Sequence, residues 1–228
     1  MGGSLQESLA LNPAPFVLAS LLMSYPTDEL PGNIKVLLED RGVSLPEELR
    51  TLITSSTDPG TIQDLQSEYI GIFDNGRDSN PICETEYDRR RPMAKGTLLS
   101  DIAGFYHAFG FTLDESGPRE MLDHAGIELE FYALLIMKQI HLTETGDVDG
   151  AAIVEDGKRK FLEAHLGRFI VSIARRPGVQ SSAFYGPVAS WCAKLIENEC
   201  RQTAVSPVTA DWIDGDESAD QGDIKCCL

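Results

Sequence analysis

The fold is decided by residues 118–142, which read PREMLDHAGIELEFYALLIMKQIHL. Apolar side chains recur in it at steps of three and four, the spacing that gathers them on one face of an α-helix. They are Leu122, Ala125, Leu129, Tyr132, Ala133, Ile136 and Ile140. Residues 131–137 are apolar almost all round, which is typical of a helix enclosed by other helices. We therefore predict one long central helix that begins near Pro118, a residue suited to a first helical turn.

The same helical spacing continues on both sides of this stretch. Before it, apolar ladders with proline or glycine breaks predict helices that end before Pro26 and that cover residues 31–38, 46–53, 61–73 and 94–109, the last ended by Gly110. After it, helices are predicted over residues 151–164, 165–175 and 181–200. No run alternates with the period of two that strands show. The sequence therefore predicts an all-α fold, built as a single-domain compact helical bundle over residues 1–204.

Residues 205–228 differ in composition from the rest of the chain. They hold six acidic side chains against a single lysine, at Asp211, Asp214, Asp216, Glu217, Asp220, Asp223 and Lys225. A segment so rich in charge and so poor in large apolar residues buries too little surface to offset the entropy of ordering. We predict a disordered acidic tail over these residues.

The charge balance of the chain restricts its partners. Its 19 basic residues against 36 acidic ones give a formal charge of −17. Binding to a phosphate backbone needs an excess of lysine and arginine, so nucleic acid is excluded as a partner. A negative field of this size instead speeds the encounter with a basic ligand, although it also serves solubility.

Two further features indicate the compartment. The best apolar run, residues 16–23, is far shorter than the roughly 20 residues of a membrane span, and residues 1–12 lack the basic start of a secretory signal. The five cysteines form no CxxC pair, as expected of thiols in a reducing compartment. We predict a cytoplasmic protein with no stable membrane insertion and no structural zinc site.

Two segments carry candidate functional residues. Residues 74–92 show no helical period, and an irregular connection of that length is more often functional than filler. Asp123, His124, Glu128 and Glu130 lie in the first half of the predicted central helix. Either they border a groove in which a ligand completes their hydrogen bonds, or they form a solvated face with local salt bridges. His124 and Glu128 have the spacing of a metal pair, but no further ligand accompanies them, so no metal site is predicted.

An enzymatic interpretation of the same residues is the main alternative. Cys83 beside Glu84 could act as a nucleophile if His124 reached it as a base, or His124 and Glu128 could serve a hydrolase. No known Cys-His signature surrounds Cys83. A second alternative is a structural subunit of a larger redox complex, in which the apolar residues 131–137 face a permanent partner.

Three motifs resemble those of one known family. They are Glu68-Tyr69-Ile70-Gly71-Ile72-Phe73, Pro81-Ile82-Cys83-Glu84-Thr85-Glu86-Tyr87 and Asp123-His124-Ala125-Gly126-Ile127-Glu128-Leu129-Glu130-Phe131, and residues 101–110 are similar to the aromatic helix between the last two. In order and separation they resemble the TorD/DmsD/NarJ family of redox-enzyme maturation chaperones. The Glu-Thr-Glu-Tyr form of the second motif is most similar to members serving type II enzymes of the dimethyl sulfoxide reductase family, which include chlorate and selenate reductases.

The resemblance implies a chaperone, not an enzyme, with the helical bundle of that family and no cofactor of its own. Its implied partner is the apo catalytic subunit of a dimethyl sulfoxide reductase family molybdoenzyme, often held through a twin-arginine leader until the molybdopterin cofactor is inserted. The implied client-peptide surface comprises Tyr69, Phe73, Glu84, Tyr87, Asp123, His124 and Glu128. Many relatives carry an aromatic residue before the glutamate, where this chain has Cys83. A monomer and a domain-swapped dimer both remain open.

Overall fold

Helices carry almost all the regular structure in the computed structural model, which describes residues 11–39, 41, 43–58, 60–76, 79–87, 94–113 and 121–210. These ranges contain ten α-helices: α1 Ala14–Met23, α2 Leu30–Glu39, α3 Glu47–Ser56, α4 Ile62–Tyr69, α5 Ala94–Ala108, α6 Ala125–Thr145, α7 Val148–Phe161, α8 Gly167–Ala174, α9 Pro177–Ser181 and α10 Tyr185–Gln202. Two π-helical turns, Ile70–Asp74 and Leu162–Leu166, and a 3₁₀ turn, Glu84–Glu86, complete them. The same ranges contain no β-strand, which confirms the all-α prediction, and no helix long and apolar enough to cross a membrane.

Helix α6 is the centre of the bundle, as its apolar pattern predicts. It packs against α1 on one side and α7 on another. Phe131, Tyr132 and Leu135 have no exposed surface, and of the apolar run only Met137 is open, at 44%. Helix α1 approaches α6 so closely that a Cβ added at Gly126 would overlap the Oγ of Ser24. The apolar faces of α6 are therefore covered by the protein's own helices.

The first turn of α6 is the main correction to the predicted helices. The helix begins at Ala125, not near Pro118, and residues 118–120 lie outside the described residues. His124 is extended, with φ −73° and ψ 135°, and its Nδ1 accepts the backbone N–H of Gly126 at 3.1 Å. That bond satisfies one of the amide donors that every helix start leaves unpaired. Asp123 and His124 therefore precede the helix.

The other helix ends follow their local sequence signals more closely. Helix α5 covers the predicted span, and Gly110 follows it with φ +66°, the left-handed geometry that suits glycine. The predicted helices 151–164 and 165–175 are α7 and α8, joined by the π turn Leu162–Leu166. The predicted helix 181–200 corresponds to α10, which begins later, at Tyr185, and the short helix α9 precedes it where a break was predicted. Such π turns insert a residue into a helix and often lie at functional sites.

Folded structure extends beyond the predicted domain end at residue 204. Val205 and Ala210 are buried, at 7% and 5% exposed. The N–H of Ala210 donates to the carbonyl of Arg168 at 2.9 Å, and the Ser172 hydroxyl donates to the carbonyl of Ala210 at 2.7 Å. Residues 205–210 therefore pack on α8 and belong to the bundle. The rest of the predicted tail, 211–228, lies outside the described residues.

Candidate functional site

The second and third sequence motifs are joined by backbone hydrogen bonds. The N–H of Glu84 donates to the carbonyl of Asp123 at 2.8 Å, and the N–H of Ala125 donates to the carbonyl of Ile82 at 3.0 Å. Cys83 and His124 thereby form an isolated antiparallel bridge. The carboxylate of Asp123 also accepts the N–H of Thr85 at 2.9 Å. These bonds fix residues 82–85 against the start of α6.

Three acidic side chains lie inside the protein at this junction. Glu84 is 2% exposed, and Asp123 and Glu128 have no exposed surface. The sequence left two alternatives for Asp123 and Glu128, the border of a groove or a solvated face, whereas in the structure the motifs pack directly on each other. Oε1 of Glu84, Oδ1 of Asp123 and both carboxyl oxygens of Glu128 accept no hydrogen bond. Because buried carboxyl groups normally find hydrogen-bond donors, these open acceptors need a reason beyond stability.

We call Glu84, Asp123 and Glu128 the carboxylate cluster. Burial changes the pKa of two of its members, Glu84 and Glu128. Burial raises the pKa of Glu128 well above its ordinary value, Glu84 and Asp123 raise it further, and Arg168 lowers it. Burial likewise raises the pKa of Glu84, an effect that His165 and Arg168 oppose and Asp123 reinforces. Glu128 therefore keeps its proton at a pH where an exposed glutamate is ionised.

His165 and Arg168 lie against the carboxylate cluster. Nδ1 of His165 lies 3.0 Å from Oε2 of Glu84, and its Nε2 lies 3.1 Å from Oδ2 of Asp101. Nη1 of Arg168 lies 3.6 Å from Oε1 of Glu84. The side chains of Asp101 and Arg168 are 60% and 25% exposed. The network therefore runs from the surface of α5 and α8 to the buried Glu84.

No sequence motif pointed to His165 or Arg168. His165 is 81 residues from Glu84 in the chain, so no local motif links them. A signal was present, because His165 lies three residues after Leu162 and four before Phe169, on an apolar helical stripe. A histidine in such a stripe is buried and needs polar partners.

His124 and Tyr69 form a second buried polar pair beside the cluster. Burial lowers the pKa of His124 to about 4, so the ring is neutral near pH 7. Its Nδ1 accepts from Gly126, so the proton is on Nε2, which lies 3.0 Å from the hydroxyl of Tyr69. Both ring nitrogens are engaged, so this geometry gives His124 no role as a base toward Cys83.

The aromatic members of the predicted set lie in the core. Tyr69, Phe73 and Tyr87 are 4%, 1% and 1% exposed. The rings of Tyr69 and Phe73 pack at 5.0 Å between centroids, and both contact Tyr185. The hydroxyl of Tyr87 donates to the carbonyl of Pro81 at 2.7 Å. The structure thus gives these residues the role of holding the two motif segments in place.

Comparison with known proteins places the chain in a family. The nitrate reductase delta subunit family matches residues 40–175, more than half of the chain. The chain therefore belongs to the nitrate reductase delta subunit family, and the chaperone-family resemblance of its three motifs is confirmed.

Two relatives have more specific names. A selenate reductase assembly chaperone protein of Thauera selenatis is 30% identical over 129 residues, which are 56% of this chain and 65% of the relative. A chlorate reductase assembly chaperone protein of Ideonella dechloratans is 27% identical over 125 residues, 54% of this chain and 63% of the relative. The matched region thus spans just under two thirds of each relative.

Proposed function

We propose that this protein is a cytoplasmic assembly chaperone that binds the cofactor-free catalytic subunit of a molybdenum oxidoreductase of the dimethyl sulfoxide reductase family. It holds that subunit, through a basic leader, until the molybdopterin cofactor has been inserted. The family and the names of the two relatives support an assembly role. The recognition chemistry is supported by the carboxylate cluster at the junction of the motifs.

The observation that carries this proposal is the set of open acceptors on Glu84, Asp123 and Glu128. A leader arginine offers five N–H donors in a planar fork, which matches carboxylate oxygens in pairs. Such a guanidinium would satisfy acceptors that the folded protein leaves without hydrogen bonds. A low-dielectric interior strengthens that interaction relative to water.

A client arginine reaches the carboxylate cluster from the side of Asp101, where the hydrogen-bond network of Glu84 approaches the protein surface. Asp101 is exposed there and meets the buried Glu84 through His165. The formal charge of −17 attracts a basic segment to the protein as a whole, and Asp101 offers a first contact. Because Glu84 and Glu128 are buried, full contact with their carboxyl groups requires a local opening of the structure around them.

The enzymatic alternative is less well supported by the geometry. His124 uses Nδ1 for the start of α6 and Nε2 for Tyr69, so neither nitrogen is placed to activate a nucleophile. Cys83 is buried, at 7% exposed, and its backbone pairs with that of His124. Among the described residues no three His, Cys, Asp or Glu side chains are grouped to hold a metal.

The test is a titration with a leader peptide that carries paired arginines. Glu84→Gln and Glu128→Gln keep the side-chain shape and remove the carboxylate, and Glu144→Gln is a control because Glu144 is exposed at the end of α6. We expect the double variant to bind about tenfold more weakly than wild type and to lose part of its salt dependence, since each charge-assisted hydrogen bond contributes about 1.5–3 kcal/mol and part of that is recovered by the amide.

The control variant should bind as wild type does, and circular dichroism should show that all variants are folded. Equal affinity and equal salt dependence in the wild type and the double variant would mean that the cluster does not receive the client.

A further inference from the structure

Arg168 is the cation that faces Glu84 in the folded protein. Its Nη1 lies 3.6 Å from Oε1 of Glu84, an ion pair too long for a hydrogen bond. Oε1 of Glu84 accordingly has no hydrogen-bond donor. The contact between this arginine and this carboxylate is therefore incomplete.

The guanidinium of Arg168 is directed toward other acceptors. Its Nε donates to the carbonyl of Val208 at 3.3 Å, and Nη1 donates to the carbonyl of Ala164 at 3.3 Å. Val208 belongs to residues 205–210, which we call the C-terminal strap. The strap is fixed to α8 by the bond from Ala210 to the backbone of Arg168 and by the Ser172 hydroxyl. One short segment thus positions both the side chain and the backbone of this arginine.

We propose that Arg168 occupies the place that a client arginine takes on Glu84, and that the C-terminal strap holds it there, so that strap and client compete. The inference rests on the proposed function and adds a device that controls access to the same cluster. An incoming guanidinium can give Glu84 two parallel hydrogen bonds, whereas Arg168 gives it none. The client arginine therefore displaces Arg168, which binds Glu84 only weakly.

The position of Arg168 suits exchange. Its side chain is 25% exposed, while the side chain of Glu84 beside it is 1% exposed, so the arginine lies between solvent and the buried carboxylate. If the strap releases Nε, the long side chain of Arg168 can turn to water, and Nδ1 of His165 remains beside the carboxylate of Glu84. Glu84 then becomes accessible from the side on which Asp101 is exposed.

The experiment compares peptide binding by Arg168→Gln, Arg175→Gln and wild type in the full chain. Arg175 directly follows α8, two turns from Arg168, and is exposed. Its loss changes the net charge by the same amount, so this variant controls for long-range repulsion. The probes are a fluorescein-labelled peptide with two arginines before a leucine-alanine run and the same peptide with two glutamines. Titrations are made over a range of pH, because Arg168 lowers the pKa of Glu84 and its loss favours the protonated carboxyl group.

We expect Arg168→Gln to bind the arginine peptide about fivefold more tightly than wild type, since a competing ion pair contributes about 1 kcal/mol. The glutamine peptide should bind equally to both, and Arg175→Gln should behave as wild type. Ser172→Ala, which loosens the strap, should tighten binding in the same direction by a smaller factor.

Three results separate the ways of failing. If wild type binds the arginine peptide but Arg168→Gln binds it no more tightly, or Arg175→Gln tightens it equally, the competition is refuted and the proposed function stands. If neither wild type nor Arg168→Gln binds the arginine peptide, the proposed function and the competition are both refuted. Tightening by Arg168→Gln without any effect of Ser172→Ala refutes the role of the strap.

Discussion

The Glu128→Gln variant tests the buried carboxylate cluster through its effect on stability. Glu128 is fully buried and neither of its oxygens accepts a hydrogen bond. In the unfolded chain it titrates at its ordinary pKa of 4.5, whereas burial and the neighbouring Glu84 and Asp123 hold its pKa well above that value in the fold. Between these values the folded protein binds one more proton than the unfolded chain.

This proton sets both the sign and the size of the effect. Because the folded state holds the extra proton, the free energy of unfolding decreases as pH rises above 4.5, by up to about 1.4 kcal/mol per pH unit. Below that value both states are protonated and the effect disappears. Glutamine cannot titrate, so the variant lacks this slope. Its amide instead has unsatisfied polar atoms at every pH, a constant cost of about 1–3 kcal/mol.

We therefore expect the wild type to lose stability relative to Glu128→Gln as pH rises above about 5, by up to about 1.4 kcal/mol per pH unit. The assay is urea unfolding followed by circular dichroism across this range, with exposed Glu144→Gln as the control, whose difference from wild type should stay constant. A constant difference between wild type and Glu128→Gln would refute the reasoning, because it would mean that Glu128 is ionised in the fold.

Three further outcomes follow from the same structure. Tyr69→Phe removes the hydroxyl beside Nε2 of His124 and should lower the free energy of unfolding by about 1–2 kcal/mol, measured by urea unfolding. Gly126→Ala places a methyl group against α1 and should destabilise the protein by about 1–3 kcal/mol, seen as a lower thermal midpoint, whereas alanine at the open Gly104 on α5 should not. Binding of the arginine peptide should release a proton as Glu128 ionises, so affinity should increase with pH; calorimetry in two buffers of different ionisation enthalpy measures this release, and its absence would mean that Glu128 keeps its proton in the complex.

Much of the fold could be predicted because local sequence signals agree with tertiary packing. The apolar spacing of α6 and the left-handed Gly110 after α5 are local features that the structure retains. The start of α6 could not be predicted in the same way. Its position depends on the capping bond of His124 and on hydrogen bonds from residues 82–84 to Asp123 and Ala125, and these partners are distant in sequence.

The candidate site was predictable in part for the same reason. Motifs indicated that Glu84, Asp123 and Glu128 matter, and the structure brings them together. Their burial could not be inferred, because an acidic residue near an irregular segment is more often solvated. His165 and Arg168 were missed because they meet Glu84 only after α7 and the following π turn bring the chain back.

The isolated bridge between Cys83 and His124 offers a hydrogen-exchange probe of motion at this junction. Its two amide hydrogens, on Glu84 and Ala125, are held by main-chain carbonyls away from water, unlike the amides of a fraying helix end. In heavy water these hydrogens should exchange for deuterium only when the junction separates. The exchange rate of each amide would thus measure how often the second and third motifs separate in the free protein, and how a bound partner changes that frequency.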